Sequence, residues 1–567
     1  MGTTKGVILT GYDAKRCQRR VHNEHDPTLE RATWQPPEDL QKRFDDGRAF
    51  EAAIFDQLRT TLSADRWRDL SAVKGKQAAI DATLAAIDEG VELILGGWLP
   101  DDTVSGRTGR PDILLRCGAE ATSYVPGDVK AHKTAHARKT GTLRYSTLAD
   151  PFSVREATGL APLAAERIDD YLQLAHYWRM LEACGRAPAE TPARGFIIGS
   201  DDFPDLDPSG HVLVWYDLDT PLFATFSRRQ GKAKRTALER YDFEFGIRHE
   251  IATVAASRTG AADDPDPVVQ PIFTDECDYC PWYDYCLGVA GDTASAHIKS
   301  GRLSIREWRA LGQLGVSTLH ELAALDTTDA TFRDAYMPEV AHLGARAMDR
   351  LVAAVRRAGM VVRGEVLERQ TEGPIDLPAA DVEVDFDIED AEGRVYLWGA
   401  LVRDGGADPV YVPTVSWGPP DEEAERRLAQ RFLDWLRDLI ARAGSQGRTV
   451  RVYHYSAHEI SNLNRILGPE ASRDLDGVFV DLLPVMQQHY FAVSGHGLKK
   501  VAPAFDFQWR DEEPSGLLSQ LWYLEAISED EPAASAARTR ILAYNEDDVR
   551  ATAAIRDGLR APGSGTD

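Results

Sequence analysis

The chain has 567 residues, of which 43% are apolar and 8% aromatic, so it can bury roughly two or three separate cores. Its net charge of −25 argues against a surface that coats polyanions broadly, although local basic tracts can still bind nucleic acid. No apolar run reaches the roughly 18 residues that a membrane-spanning helix needs, and the N-terminus lacks a signal-peptide pattern. We therefore expect a cytoplasmic protein that does not bind membranes.

Four of the six cysteines stand at the two ends of one long segment. They are Cys17, Cys277, Cys280 and Cys286. Disulfides are rare in a reducing compartment, so we expect Cys117 and Cys184 to be buried thiols and the other four to bind a metal ion or cluster. A group held on four thiolates would close a very long loop and join the two ends of the first domain.

The first region, residues 1–290, is predicted to be a mixed α/β domain, because strand and helical patterns alternate along it. Helical patterns cover 37–62 and 166–184, and a third, charged pattern ends near residue 250. Strand patterns cover 91–97, 111–117, 123–130, 194–200 and 211–218.

Two strands of this region carry carboxylates and a lysine. Asp112 begins an apolar strand, and Asp128 and Lys130 lie two apart on the next strand, so their side chains point to one face. Magnesium or manganese takes oxygen ligands, so the aspartates could hold a cation while the lysine orients water or stabilises charge on a phosphate. A D-x-K pair on a strand is also common as a surface ion pair, worth about 0–1 kcal/mol.

Three further residues of this region complete a recognisable order. Glu51 lies on a predicted helix and could supply another ligand, while Gln173 and Tyr177 lie four apart on one helical face. Each is ordinary when taken alone, since QxxxY is common on packed helix faces. The informative feature is their order along the chain, in which a helix glutamate is followed by a strand aspartate, then by D-x-K and then by QxxxY.

This order resembles that of the RecB/AddB-type PD-(D/E)XK nucleases, over residues 1–290. The resemblance implies a restriction-endonuclease-like fold with a magnesium or manganese cofactor. It implies Glu51, Asp112 and Asp128 as metal ligands, Lys130 as the catalytic lysine, and Gln173 and Tyr177 as the substrate-contacting pair. One departure concerns Glu51, because many family members carry a histidine near that position.

The bracketing cysteines resemble those of the iron–sulfur subset of these nucleases, which includes the CRISPR-associated RecB-like exonucleases. That resemblance implies a [4Fe–4S] cluster with a structural role on Cys17, Cys277, Cys280 and Cys286. Thiolates do not identify their metal, so zinc on the same four cysteines is the alternative.

The second region, residues 291–375, is predicted to be helical. Its segment LGQLGVSTLHELAAL, with a tight turn at Leu314, Gly315 and Val316, resembles a helix–hairpin–helix. The backbone amides of such a motif can hold a phosphate without contacting a base. An ordinary helical connector is the alternative.

The third region, residues 376–560, alternates strands and helices and is predicted to be a second α/β domain. In EVDFDIED, the strand period places four carboxylates on one face: Glu383, Asp385, Asp387 and Glu389. So many like charges together are costly unless a cation neutralises them. An exposed acidic edge strand is the alternative explanation.

Later acidic residues give this strand a set of partners. The combination resembles the ribonuclease-H-like DEDD exonuclease fold, with DxE at Asp387 and Glu389, a second-motif acid at Glu459, and Tyr544 and Asp548 closing the site. The resemblance implies two magnesium or manganese ions on four carboxylates, with Tyr544 positioning the attacking water.

The third region departs from the DEDD pattern at two points. Glu459 stands where the commoner enzymes have aspartate, and the crowded first strand allows the register to shift to Asp385. Asp481 is another nearby carboxylate, which we interpret as a cap at a strand end.

Together the two modules resemble a family of RecB-like nucleases that carry a C-terminal predicted exonuclease domain. We expect a metal-dependent nuclease that hydrolyses DNA, single-stranded or at ends, in repair or recombination, with RNA as another possible substrate.

No GxxxxGK[ST] motif is present, so we expect no built-in ATPase, and a separate helicase partner is possible. The alternatives are a nucleic-acid-binding adaptor with inactive sites and, less favoured, a redox sensor. Residues 561–567 are predicted to be a disordered tail.

Overall fold

The structure is a computed structural model that describes residues 6–31, 34–117, 122–189, 192–419, 421–511 and 516–561, apart from the side chains of 516 and 517. The predicted tail lies outside the described residues except for Ala561. The chain forms two compact units, Met1–Gly291 and Asp292–Asp567. Both units contain strands and helices, which confirms the mixed α/β class.

The first unit contains the strands β1 (Trp67–Asp69), β2 (Leu93–Leu95), β3 (Ile113–Arg116), β4 (Tyr124–Lys130), β5 (Ala135–Thr147), β6 (Arg155–Pro162), β7 (Arg194–Gly199), β8 (Val212–Asp217), β9 (Phe223–Ser227) and β10 (Gly231–Arg235). Its helices are α1 (Gln18–His25), α2 (Glu38–Thr61), α3 (Lys76–Asp88), α4 (Ile168–Ala183), α5 (Ala237–Ala256) and α6 (Tyr283–Ala290).

Eight of these strands form one mixed sheet in the order β1-β2-β3-β4-β7-β8-β5-β6. The pairs β1–β2 and β4–β7 are parallel, and the other neighbours are antiparallel. Apolar side chains of α2, α4 and α5 belong to the same core as those of the central strands. Strand β4 lies in the middle of the sheet, so the carboxylate that it carries is placed in the interior of the unit.

Gly127 on β4 is required by the packing beside that carboxylate. A Cβ at Gly127 would lie 2.1 Å from Cζ of Phe196 on the neighbouring strand β7. The glycine of PGDVK therefore lets the phenylalanine ring pack across β4, next to Asp128.

The two remaining cysteines of this unit are only partly buried, which corrects the expectation of buried thiols. Cys117 directly follows β3, and its Sγ accepts a hydrogen bond from Nη2 of Arg194 at 2.8 Å. Cys184 is the C-cap of α4, and burial raises the pKa of its thiol. Both cysteines lie at the ends of elements, where packing is incomplete.

The second unit contains the helices α7 (Ala294–His297), α8 (Ile305–Gln313), α9 (Leu319–Ala323), α10 (Ala330–Tyr336), α11 (Arg346–Arg363), α12 (Glu422–Ser445), α13 (His458–Leu467), α14 (Leu482–His489), α15 (Leu498–Val501), α16 (Gly516–Ala526) and α17 (Glu531–Arg560). Its strands are β11 (Leu367–Arg369), β12 (Val382–Ala391), β13 (Arg394–Asp404), β14 (Val410–Val415), β15 (Val450–His454), β16 (Phe479–Asp481) and β17 (Tyr490–Ala492).

Five strands of this unit form a sheet in the order β14-β13-β12-β15-β16. Strands β12, β13 and β14 are antiparallel, whereas β15 runs parallel to both β12 and β16. One face of β12 presents Val384 and Phe386 to the apolar core that includes Phe432 of α12. The opposite face carries the alternating carboxylates and packs against α17.

Helices α7 to α11 belong to this second unit, and β11 pairs with β17. Helices α8 and α9 flank the predicted turn, where Gly315 adopts a φ of +83°. The backbone amides of Ser317 and Thr318 already donate to Oε2 of Glu321, each at 2.9 Å. Two helices therefore flank the turn, and these two amides already donate to an acceptor within the chain.

None of the helices in the described ranges is long and apolar enough to cross a membrane.

Two arginines of α17 neutralise one end of the acidic face of β12. Arg556 is completely buried, contacts Glu383, and places its Nη2 3.0 Å from Oδ2 of Asp385. Arg560 donates from Nη1 to Oε1 of Glu383 at 2.7 Å. Glu383 and Asp385 therefore belong to an internal ion-pair network with these two arginines.

We predict that Arg556→Met destabilises the second unit by about 3–5 kcal/mol, because removing one partner leaves buried carboxylates without their cation. The matched control on the same helix is Arg550→Met, which breaks a partly exposed pair with Glu546 and should cost less than about 1 kcal/mol. Urea unfolding of the full chain, with hydrogen exchange of α17 as the readout, measures both changes. Equal stability of the two variants would contradict the proposed role of Arg556.

Candidate functional site

The other end of the acidic face of β12 meets α17 without an arginine. Asp387 and Glu389 project from the strand and Asp548 from the helix, and one carboxylate oxygen of each lies within 4.8 Å of the others. Within the described residues this is the one group of three or more such ligands that meets that distance. Carboxylates this close are a typical ligand set for a divalent cation.

The electrostatics of these three carboxylates favour a bound cation. Burial raises the pKa of Asp387 well above its usual range, and the charges of Asp548 and Glu389 raise it further. Burial and Asp548 raise the pKa of Glu389 to about 8. Burial also raises the pKa of Asp548, although Lys499 opposes the shift. The protein thus supplies less positive charge here than three ionised carboxylates need.

Glu459 lies beside this group but is not part of its closest set. It lies in the first turn of α13, shortly after β15, and its side chain is buried. Its charge raises the pKa of Asp387, and Nδ1 of His454 lies 3.5 Å from its Oε2. Among the described residues, that Oε2 has no hydrogen-bond partner. A buried carboxylate oxygen without a partner fits a fourth ligand to a cation.

Tyr544 lies one helical turn before Asp548, as the sequence spacing predicts. Its hydroxyl contacts Nζ of Lys499 on α15, and its ring packs edge-on against Trp522 at 5.5 Å between centroids. Burial and the charge of Asp548 raise its pKa, so the hydroxyl stays protonated at neutral pH. Trp509 donates from Nε1 to Oδ1 of Asp548 at 2.6 Å.

A fully buried amide, Asn545, links the carboxylates of β12. Its Nδ2 donates to Oδ2 of Asp387 at 3.1 Å and to Oε1 of Glu389 at 3.4 Å. Its Oδ1 accepts from the hydroxyl of Tyr411 at 2.8 Å. The hydroxyl of Ser519 donates to Oε2 of Glu389 at 2.7 Å. These contacts orient the two acids towards Asp548.

Sequence reasoning missed four residues of this site, namely Lys499, Trp509, Ser519 and Asn545. The sequence spacing could have predicted Asn545, because it lies three positions before Asp548 and therefore near it on the same helix. The other three come from separate segments, and no spacing relates them to the acids. Asp481 caps the N-terminus of α14 by accepting from the amide of Leu483 at 2.9 Å, in agreement with its predicted capping role.

The first unit brings its predicted acids together more loosely. Nζ of Lys130 lies 2.9 Å from Oδ2 of Asp128, and Oδ2 of Asp112 accepts from the amide of Val129 at 2.8 Å. Burial raises the pKa of Asp112 well above its usual value, with Asp128 next in effect. Burial and Asp128 also raise the pKa of Glu51 on α2. These acids are neighbours. In the described structure, however, their carboxylate oxygens do not all lie within 4.8 Å of one another, as those of Asp387, Glu389 and Asp548 do.

The predicted pair on α4 forms a hydrogen-bond chain at this acidic face. Gln173 donates from Nε2 to the hydroxyl of Tyr177 at 3.1 Å, and that hydroxyl donates to the carbonyl of Arg110 at 3.2 Å. Nζ of Lys15 donates to Oε1 of Gln173 at 2.8 Å. Lys15 lies in a basic stretch with Arg16, Arg19 and Arg20, and its contact with Gln173 spans 158 positions.

The four bracketing cysteines line one cavity together with Arg19, Arg20 and Trp282. The cysteines are Cys17, Cys277, Cys280 and Cys286. All four lie in described parts of the chain, yet no three of their sulfurs are within 4.8 Å of one another. Burial raises the pKa of Cys280 and that of Cys286 to about 11 in the absence of a metal ion.

Backbone and side-chain donors surround these sulfurs. The amide of Cys17 donates to Oε2 of Glu276 at 2.8 Å, which joins the N-terminal segment to the cysteine loop. Nδ2 of Asn23 donates to Sγ of Cys286 at 3.6 Å, and the amide of Thr274 donates to Sγ of Cys277 at 3.4 Å. A direct hydrogen bond therefore joins the N-terminal segment to the cysteine loop.

A sequence model of the RNase_H superfamily matches residues 384–560. The match includes Asp387, Glu389, Glu459, Tyr544 and Asp548, and it supports the prediction of an RNase H-like C-terminal domain. Such a domain points to a nucleic-acid hydrolase that uses divalent metal ions. Comparisons of the chain with curated proteins and with solved structures gave no match. The RecB-like and iron–sulfur predictions for residues 1–290 stay predictions.

We predict that Gly399→Ala weakens manganese binding at the second unit by about 10- to 100-fold, the loss typical when an outer-shell partner is displaced. Gly399 lies on β13, and a Cβ there would lie 1.6 Å from Oδ1 of Asn545, forcing that amide away from Asp387 and Glu389. The matched control is Gly406→Ala, where a Cβ meets nothing within 4 Å. Manganese titration followed by electron paramagnetic resonance measures both variants, and equal affinities would exclude the orienting role of Asn545.

Proposed function

We propose that the protein is a metal-dependent nuclease whose second unit hydrolyses phosphodiester bonds in DNA. The proposal rests chiefly on one observation, the convergence of Asp387, Glu389 and Asp548 within 4.8 Å in a domain that matches the RNase_H superfamily. Single strands and DNA ends are the proposed substrates, and repair or recombination is the proposed setting.

The residues around the acids have separable roles in this proposal. Asp387, Glu389, Asp548 and Glu459 would hold magnesium or manganese, which when bound activates water and stabilises the charge of a leaving oxygen. The protonated hydroxyl of Tyr544 can donate a hydrogen bond to an oxygen at the site and orient it. Lys499, which contacts that hydroxyl and lies 3.7 Å from Oδ2 of Asp548, supplies positive charge beside the phosphate.

We propose a second hydrolytic centre on the acidic face of the first unit. Glu51, Asp112 and Asp128 provide the carboxylates, and burial, with the charge of Asp128 next in effect, raises the pKa of Glu51 and of Asp112, which favours a bound cation. Lys130 is held against Asp128, where its ammonium can stabilise charge on a phosphate.

We propose an iron–sulfur cluster for the four bracketing cysteines. A zinc–sulfur distance of about 2.3 Å in a tetrahedral site places the sulfurs about 3.8 Å apart. No three of the four sulfurs lie within 4.8 Å of one another in the described structure, and this spread suits a larger group, in which each thiolate binds a different iron. Its role would be to stabilise the joined ends of the unit.

We predict that Asp387→Ala lowers cleavage of labelled DNA by more than about 100-fold at the second centre, since loss of a direct ligand exceeds the usual effect of an outer-shell partner. Asp128→Ala should remove the activity of the first centre, and the double variant should be inactive. Cleavage is followed on single- and double-stranded substrates with manganese, and with RNA in parallel.

The matched control for this series is Asp381→Ala, an exposed acid just before β12 whose carboxylate accepts from the amide and the hydroxyl of Thr449. It should cleave like the wild type. Full cleavage by the double variant would refute both centres. Binding without cleavage by the wild type would instead favour a nucleic-acid-binding adaptor.

We predict that protein purified without oxygen is coloured and carries about four iron atoms per chain. Cys280→Ser should lose the iron, whereas Cys117→Ser should keep it, because Cys117 does not line the cavity. Metal analysis and visible absorbance measure this directly. A colourless protein loaded with zinc would overturn the cluster but leave the nuclease proposal standing.

A further inference from the structure

Lys15 reaches the acidic face of the first unit from the N-terminal segment that also carries Cys17. Its Nζ donates to Oε1 of Gln173 at 2.8 Å and lies 4.5 Å from the centre of the Tyr12 ring. The charges of Lys130 and Asp128 both act on it, which places it beside the proposed hydrolytic centre. The residue is only partly buried.

Gln173 itself has little capacity left for a substrate. It is 2% exposed, its Oε1 accepts from Lys15, and its Nε2 donates to Tyr177. The family resemblance implies that Gln173 contacts the substrate. Because its own polar atoms are engaged, Gln173 would act through the Lys15 ammonium that it holds. The ammonium has three N–H donors, of which Gln173 uses one.

Lys15 differs from the other lysine at this face in its charge partner. Lys130 forms an ion pair with Asp128, so its charge is offset within the protein. Lys15, by contrast, has no carboxylate within 4.0 Å in the described structure. A cation of this kind, next to a cluster of acids, is suited to a phosphate group of the substrate.

The backbone on either side of Lys15 is fixed, so the ammonium is held in place. The carbonyl of Arg16 accepts from Nε of the buried Arg248 at 2.8 Å, and the amide of Cys17 donates to Glu276. On the other side, Asp13 accepts from the amide of Thr10 at 2.7 Å and closes a turn.

We propose that Lys15 is a substrate-binding residue that contacts a nucleic-acid phosphate at the first acidic face, and that Gln173 positions it. This inference rests on the proposed nuclease function of the first unit. It does not depend on which group the cysteines bind, because Arg248 anchors the segment independently.

The test uses the full chain in an Asp387→Asn background, which removes cleavage by the second unit. Lys15→Met and Lys15→Arg are compared with Lys76→Met, a lysine of the same unit that is paired with Asp101. Binding of a fluorescent single-stranded oligonucleotide is measured in EDTA over a range of salt concentrations. Cleavage is measured with manganese to give KM and kcat separately.

Lys15→Met should weaken binding by about 10-fold at low salt and reduce the slope of log affinity against log salt by about 0.7, the contribution of one phosphate contact on a single strand. The loss should appear mainly in KM, and Lys15→Arg should restore most of it. Gln173→Leu should weaken binding less, and combined with Lys15→Met it should add nothing, because the two act as one unit.

The inference is overturned if Lys15→Met keeps the affinity and salt slope of Lys76→Met. Asp128→Ala separates this failure from that of the proposed function. If Asp128→Ala abolishes cleavage while Lys15→Met changes nothing, only the role of Lys15 is wrong. If Asp128→Ala cleaves like the parent, or the parent neither binds nor cleaves, the proposed centre and the role of Lys15 are both wrong.

Discussion

The second unit depends on how one strand face of four carboxylates is buried against a single helix. At one end of β12, Arg556 and Arg560 of α17 compensate Glu383 and Asp385 inside the protein. At the other end no arginine of the described residues pairs with the acids, and Asp387 and Glu389 face the carboxylate of Asp548 instead. At one end of the contact between β12 and α17 the carboxylate charges are therefore paired with arginines, and at the other end they are not. Repulsion at the unpaired end is tolerable only with protons or a cation, which is the physical basis of the proposed activity.

The supporting contacts show how that unpaired end is kept in shape. Asn545 and Ser519 donate to the acids without cancelling their charge, since an amide and a hydroxyl are neutral. Gly399 provides the space for Asn545 beneath the sheet. Lys499 adds one cation at the edge, shared between Tyr544 and Asp548. Orientation is therefore supplied by neutral donors, and charge compensation is left to a ligand.

Much of this site could be predicted from the sequence because it depends on local periodicity. The period of two places the acids of β12 on one face, and the four-residue spacing of Tyr544 and Asp548 places them on one helical face. The division of the four acids into two pairs could not be predicted, because Arg556 lies 173 positions from Glu383. Lys499 and Trp509 were missed for the same reason. They lie on a short helix and a loop that are far along the chain from the residues they contact.

The first unit shows the same limit. Its D-x-K strand, its QxxxY helix and its bracketing cysteines follow from motif spacing, and the predicted strands and helices lie close to observed ones, although β5 and β6 were not predicted. The contact between Lys15 and Gln173 depends on tertiary packing, because the two residues lie 158 positions apart. The partial exposure of Cys117 and Cys184 likewise reflects their positions at element ends, which composition alone does not report.

The most direct test of the account is a crystal structure of the protein grown with manganese, with the ion located by its anomalous scattering. The account predicts a peak bound by Asp387, Glu389 and Asp548, with the carboxylate of Glu459 turned towards the site. Occupied manganese sites elsewhere, with none between these three side chains at saturating metal, would contradict the claim that they form a hydrolytic metal centre.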